Sequence, residues 1–134
     1  MADSIIDHVS LSVSDLERSA AFYEKALAPL GIKRIMKGSS GIGFGKAMPN
    51  FWVRAGVGTF QTAEHLKAMT PVHLCFKAAS VAEVDAFHAA AIAAGGRDFG
   101  PAGQRREYHP GYYGAFVLDP DGHNIEAAIH HFKT

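Results

Sequence analysis

The chain has 134 residues, 48% apolar and 19% charged, with 13 Lys and Arg balanced by 13 Asp and Glu. That is one domain's worth of sequence, residues 1–134, around a single core. Zero net charge with no basic run or face excludes a polyanion partner such as nucleic acid, and no apolar run is long enough to span a membrane.

The single cysteine, Cys75, excludes an intrachain disulfide and Cys-based zinc sites. It fits a reducing compartment, and no signal peptide is visible, so the expected setting is cytoplasmic.

Ile5 to Val13 alternates as a strand, with Val9, Leu11 and Val13 on one face and His8, Ser10 and Ser12 on the other. Ser14, three residues before Glu17, is a capping-box signature for a helix bearing Leu16, Ala20, Tyr23, Leu27 and Leu30 at helical spacing; Gly31 ends it. A short strand over Ile32 to Met36 follows. Gly41-Ile42-Gly43-Phe44-Gly45 alternates so that one strand face is all glycine, which would leave open space on that side. Phe51 to Ala55 is a further strand, Trp52 and Arg54 sharing a face. Gly56 to Met69 reads as a connector.

The pattern then recurs. Pro71 to Phe76 is a strand with His73 and Cys75 opposite the aliphatic face. Ser80 and Glu83 form a second capping box, for a helix with Val84, Phe87, His88, Ala91 and Ile92 on one stripe and Gly95-Gly96 at its end. Gly100 to Pro110 reads as a loop, Tyr112 to Leu118 as a strand. Asp119-Pro120-Asp121-Gly122 has the residues of a type I turn. In the last strand Ile125, Ala127 and Ile129 point one way and Asn124, Glu126 and Ala128 the other.

Sliding the first half onto the second lays His8 on His73, Phe22 on Phe87 and Gly31 on Gly96; a longer slide lays Asn50 on Asn124 and Trp52 on Glu126. Neither half hides its own sheet. The expected fold is therefore α+β: two βαβββ modules, about 5–60 and about 70–131, forming a curved mixed sheet around a cleft, with helices on the convex face.

The helices need the aliphatic faces, so His8, His73 and Glu126 fall on the cleft face. A carboxylate in mid-strand has to be solvated, paired or metal-bound. Two His and a carboxylate form the set that leaves open positions on an octahedral divalent metal, here Fe, Mn, Zn, Ni or Co, and open positions let substrate oxygens bind directly. Taken singly, each His is an ordinary structural His and Glu126 a salt-bridged edge carboxylate.

Three further residues are candidates. Tyr113 is assigned to the cleft face, assuming that Phe116 and Leu118 cover the helices; it is a hydrogen-bonding or acid residue, or a stacking wall. Arg54 is a binder of anionic substrate, or a surface charge. The segment Arg105 to His109 lies where it can cover the cleft mouth, with His109 its acid–base candidate.

The segment DHVSLSVSDLERSAAFYEKAL, the internal repeat and YHPGYYGAFVLDPDGHNIE together resemble the vicinal oxygen chelate superfamily over essentially the whole chain. That group includes glyoxalase I, extradiol dioxygenases, fosfomycin-resistance enzymes and bleomycin-binding proteins. The resemblance implies paired modules, a divalent metal in the cleft and a homodimer, with ligands at the positions of His8, Trp52, His73 and Glu126. An indole does not ligate metal, so Trp52 departs from the four-ligand glyoxalase I pattern and becomes a wall for bound substrate. The implied function is a metal-dependent glyoxalase- or dioxygenase-like enzyme acting on a small molecule chelated through vicinal oxygens. The alternative is a metal-free protein that sequesters a drug or metabolite.

Overall fold

The computed structural model describes residues 4–39 and 41–132 and realises the repeat strand for strand. The first module runs β1 (Val9–Ser12), α1 (Leu16–Leu27), a 3-10 turn (Ala28–Leu30), β2 (Lys33–Lys37), β3 (Gly41–Gly45) and β4 (Phe51–Arg54). A connector carrying α2 (Ala63–Ala68) leads to β5 (His73–Lys77), α3 (Val81–Ala93), β6 (Arg97–Gln104), β7 (Tyr113–Leu118) and β8 (Asn124–Ile129).

The sheets have the orders β1-β4-β3-β2 and β5-β8-β7-β6. In each, the first strand runs parallel to the last and the other pairs are antiparallel. The class is α+β with two βαβββ modules. The strands form two four-stranded sheets and no closed barrel.

Local chemistry sets the element ends. The cap of α1 is Asp15, one residue past the expected box: its Oδ1 accepts from the Arg18 N–H at 3.1 Å. Ser14 gives its own N–H to Asp121 in the second module's turn. Ser80 caps α3 as read, accepting from the Glu83 N–H at 3.1 Å. The connector contains an unexpected helix because Thr62 and His65 cap it reciprocally, His65 standing in for the usual Glu or Gln. Much of the expected 100–110 loop belongs to β6, which runs to Gln104.

One core serves both modules. Phe22, Tyr23, Phe44 and Phe51 from the first are buried with Val84, Phe87, Val117 and Ile125 from the second, and α1 packs on α3. Phe51 meets Phe76 edge to face at 5.2 Å across the boundary. Besides the Ser14–Asp121 contact, further polar clips join the halves. Tyr23 Oη donates to the buried Asp119 carboxylate, and burial, then the charge of Asp119, raises the phenol well above its ordinary pKa. His123 Nδ1 accepts from the Val72 N–H at 3.0 Å, and its Nε2 lies 3.2 Å from the Ser12 carbonyl. A carbonyl only accepts, so the proton sits on Nε2 and links the second module to β1.

The face assigned to Tyr113 is corrected. Ala115 pairs with Ala127 and Val117 with Ile125, so Tyr113, Ala115 and Val117 lie on the helix side; Phe116 pairs with Glu126 and lies on the opposite side. Ala115 and Val117 are fully buried. This strand carries apolar residues on both faces, so alternation alone does not choose between them; the ladder with Ile125 and Ala127 does.

Candidate functional site

The second module carries a cluster of polar side chains on one sheet face. Cys75 pairs with Glu126 across the parallel β5–β8 ladder, His73 with Asn124, and Phe116 joins Glu126 from β7. Directly paired residues project to one side of a sheet. His73, Cys75, Asn124, Glu126 and Phe116 thus share the face turned away from the helices.

Glu126 is only 2% exposed, and both its oxygens are engaged. Tyr112 Oη donates to Oε2, and His73 Nε2 stands 3.2 Å from Oε1. Gly114 makes the Tyr112 contact possible: a Cβ there would come 2.9 Å from Oε2 and 3.1 Å from Tyr112 Cε1. Burial, then the bond to Glu126, raises the Tyr112 phenol far above its ordinary pKa, so it stays a donor. Cys75 is exposed as a residue, but its sulfur lies against the same carboxylate; burial first, then the charge of Glu126, pushes the thiol up to about 12. Asn124 Oδ1 is buried on this face with no hydrogen-bond partner.

The orientation of His73 is the informative detail. Its Nδ1 lies 3.0 Å from the Asn124 carbonyl oxygen, which only accepts, so Nδ1 carries a proton. Nε2 faces a carboxylate oxygen across 3.2 Å. With a proton on Nε2 the contact is a hydrogen bond to Glu126 within the chain; without one, both atoms are available as ligands. Two cis ligands on a metal with bonds of about 2.1 Å stand about 3 Å apart, and a carbonyl on the distal nitrogen is the usual support of a metal-binding imidazole. His73 and Glu126 could thus serve together as two ligands of a divalent ion.

His8 is not brought to this pair. It precedes β1 in the first module, and its Nδ1 is 2.7 Å from Asp7 Oδ1. Among the described residues no group of three or more His, Cys, Asp or Glu side chains is placed to hold one metal ion. His8, Asp7, Asn50, Trp52 and Arg54 instead line an open pocket of about 410 Å³ on the first module.

Trp52 pairs with Gly43 as Glu126 pairs with Phe116, so the two modules reverse large and small at equivalent places. The glycine face of β3 is filled from within. A Cβ on Gly43 would meet the Trp52 ring at 3.0 Å and Pro49 at 2.8 Å, and one on Gly45 would strike the Met48 carbonyl oxygen at 1.7 Å. The expected empty space is not there. Arg54 shares the Trp52 face, opposite Gly41.

The remaining candidates divide. Tyr113 Oη donates to Asp85 Oδ1 on α3 at 2.6 Å, on the far side of the sheet from Glu126, and that bond raises its pKa. The tyrosine beside Glu126 is Tyr112, one residue earlier. The sequence signal for this is Gly114, two residues past Tyr112 on the same face, where the absent side chain leaves room for the Tyr112 ring beside Glu126. His109 lies 2.8 Å from His130, Nε2 to Nδ1, and its ring meets Tyr112 edge-on at 5.4 Å.

Residues 5–127 match the Glyoxalase/Bleomycin resistance protein/Dioxygenase superfamily. The chain is 33% identical over 125 residues to Uncharacterized protein YqjT from Bacillus subtilis (strain 168), spanning 89% of this chain and 94% of that one. Among solved structures it is similar to a glyoxalase/bleomycin resistance protein from Albidiferax ferrireducens T118, with 33% identity, a TM-score of 0.72, and 93% of this chain and 98% of the other covered. It is also similar in fold to a fosfomycin resistance protein from Listeria monocytogenes complexed with Mn(II), with 22% identity, a TM-score of 0.63, and 99% and 93% covered.

Proposed function

The chain belongs to the glyoxalase/bleomycin resistance protein/dioxygenase superfamily, and from that premise we propose a metal-dependent enzyme acting on a small molecule bound through two vicinal oxygens. The observation that carries this reading is that His73 Nε2 faces Glu126 Oε1 at 3.2 Å while its Nδ1 is held by the Asn124 carbonyl. His73, Glu126 and His8 would hold a divalent ion: Fe, Mn, Zn, Ni or Co. When bound, the ion supplies Lewis-acid polarisation of the substrate oxygens.

The chain's own groups do the rest. Tyr112 pins Glu126 Oε2, leaving Oε1 to face His73. Glu126 is the proposed proton-handling carboxylate and His109 a second acid–base group at the rim. Trp52 and Arg54 form the proposed binding wall of the first module. Tyr113, committed to Asp85 behind the sheet, is left out.

His8 and the His73–Glu126 pair sit on different modules, and among the described residues neither belongs to a group of three side chains able to hold one metal ion, which supports a homodimer in which one copy's first module faces its partner's second. The unpaired thiol of Cys75 suits a cytoplasmic setting. No described helix is long and apolar enough to cross a membrane.

A second reading has its own support. Both oxygens of Glu126 already have partners within the chain and an indole stands at the equivalent place, as in a metal-free site that sequesters an apolar ligand. Metal content of protein prepared without a His tag decides between them. About one ion for each His73–Glu126 pair, lost in Glu126→Gln and His73→Ala with the fold intact, supports the enzyme; metal-free protein that binds none when supplied overturns it.

A further inference from the structure

Arg105 follows β6 and lies over the face that carries His73 and Glu126. Its guanidinium carbon is 5.4 Å from the centre of the Phe116 ring. That ring stacks on His73 at 6.0 Å and pairs with Glu126 across the ladder. The backbone leaves space for it: a Cβ on Gly100 would lie 3.1 Å from Arg105 Nη2 and 3.1 Å from Phe116 Cδ1, and one on Gly103 would lie 3.3 Å from Nη1.

Two carbonyls of its own strand hold the fork. Nη2 donates to the Pro101 oxygen at 2.7 Å and Nη1 to the Gln104 oxygen at 3.4 Å. A guanidinium has five N–H donors, so most remain uncommitted. Among the described residues no carboxylate lies within ion-pair distance of Arg105. A positioned, half-buried guanidinium with no counter-charge suits a carboxylate or phosphate-type oxyanion, which accepts two parallel N–H bonds.

We propose that the ligand of this face carries an oxyanion, carboxylate or phosphate-type, besides its two vicinal oxygens, and that Arg105 binds it. The substrate class is then an anionic dihydroxy or hydroxy-oxo compound. This rests on reading His73 and Glu126 as the chelating pair.

The test is calorimetric titration of manganese-supplied protein with matched probes: catechol against 3,4-dihydroxybenzoate, and glycerol against glycerol 1-phosphate. Wild-type protein should bind the anionic member of at least one pair about tenfold more tightly, as expected for a charge-assisted bond. Which pair shows the gain identifies the oxyanion. Arg105→Gln should erase the gain and leave the neutral probe unchanged; Arg105→Lys, which keeps charge but not the planar fork, should retain part of it. Circular dichroism checks that both variants fold.

An equal gain in Arg105→Gln, or no gain in wild type while Glu126→Gln abolishes catechol binding, overturns the role of Arg105 alone. A gain that needs Arg105 but is indifferent to Glu126→Gln and His73→Ala upholds the anion site and overturns the chelation reading. Absence of binding by every probe overturns both.

Discussion

His73 Nε2 and Glu126 Oε1 stand 3.2 Å apart, with the other imidazole nitrogen donating to the Asn124 carbonyl. In the proposed reading this pair shares a divalent ion. Glu126→Gln keeps the shape and removes the charge, so divalent-metal affinity measured by calorimetry should fall by about 100-fold or more, beyond the usual cost of losing a supporting contact. Unchanged affinity in both Glu126→Gln and His73→Ala rules the pair out as ligands.

Mixing two dead variants tests where His8 acts. His8→Ala and Glu126→Gln chains, each unable to bind metal, should on refolding together regain about a quarter of the wild-type sites, because half of randomly paired dimers are mixed and each has one intact site. No recovery in an established dimer places all three ligands in one chain.

Tyr112→Phe removes the donor to Glu126 Oε2. Leaving a buried acceptor without its partner costs about 1–3 kcal/mol, readable as a lower urea midpoint in metal-free protein. Metal affinity should drop about 10- to 100-fold, the usual effect of losing a group that orients a ligand. Tyr113→Phe, which touches Asp85 instead, should leave metal affinity unchanged.

Tyr23 sets an alkaline limit. Its pKa is raised in the fold, so the folded state holds a proton that the unfolded chain releases near pH 10. The contribution is complete below about pH 10 and is lost as pH rises through the folded value. The urea midpoint should therefore fall above about pH 10. Tyr23→Phe should lower stability at neutral pH by about 1–3 kcal/mol, read as a lower midpoint, and flatten the alkaline fall, with the raised Cys75, Tyr112 and Tyr113 leaving some slope.

Trp52 puts an indole where Glu126 puts a carboxylate. The protein should therefore show little isomerisation of the methylglyoxal–glutathione hemithioacetal. A rate of about 1 per second or more, followed by thioester absorbance on metal-loaded protein, would show that the missing carboxylate is dispensable.

The internal repeat was legible because Gly31 and Gly96 end matched helices and His8 and His73 open matched strands. Placing Glu126 and Trp52 followed from simple alternation. What was not legible depended on pairing. Tyr112 and Tyr113 differ only in which side of β7 they take, and the choice rests on Val117 meeting Ile125 across the ladder. The helix after Thr62 was hidden because its cap uses His65. The glycines of β3 read as open space, whereas Trp52, Pro49 and Met48 fill it, and no local pattern states what packs against an absent side chain. Arg105 lay in an apparent loop, and only the register of β6 shows it crossing Phe116.

The exchange of Trp52 with Gly43 for Glu126 with Phe116 has a consequence for handedness of binding. Two identical halves would offer any ligand two equivalent ways to lie, one for each copy of the repeat. Here one half presents an uncharged ring and the other a carboxylate at the same ladder position. If both positions line the binding site, as proposed, the degeneracy is lifted and a ligand with one polar and one apolar end would have a single preferred direction. Duplication thus supplied the frame, and divergence at one matched pair of positions turned a symmetric frame into a polar one.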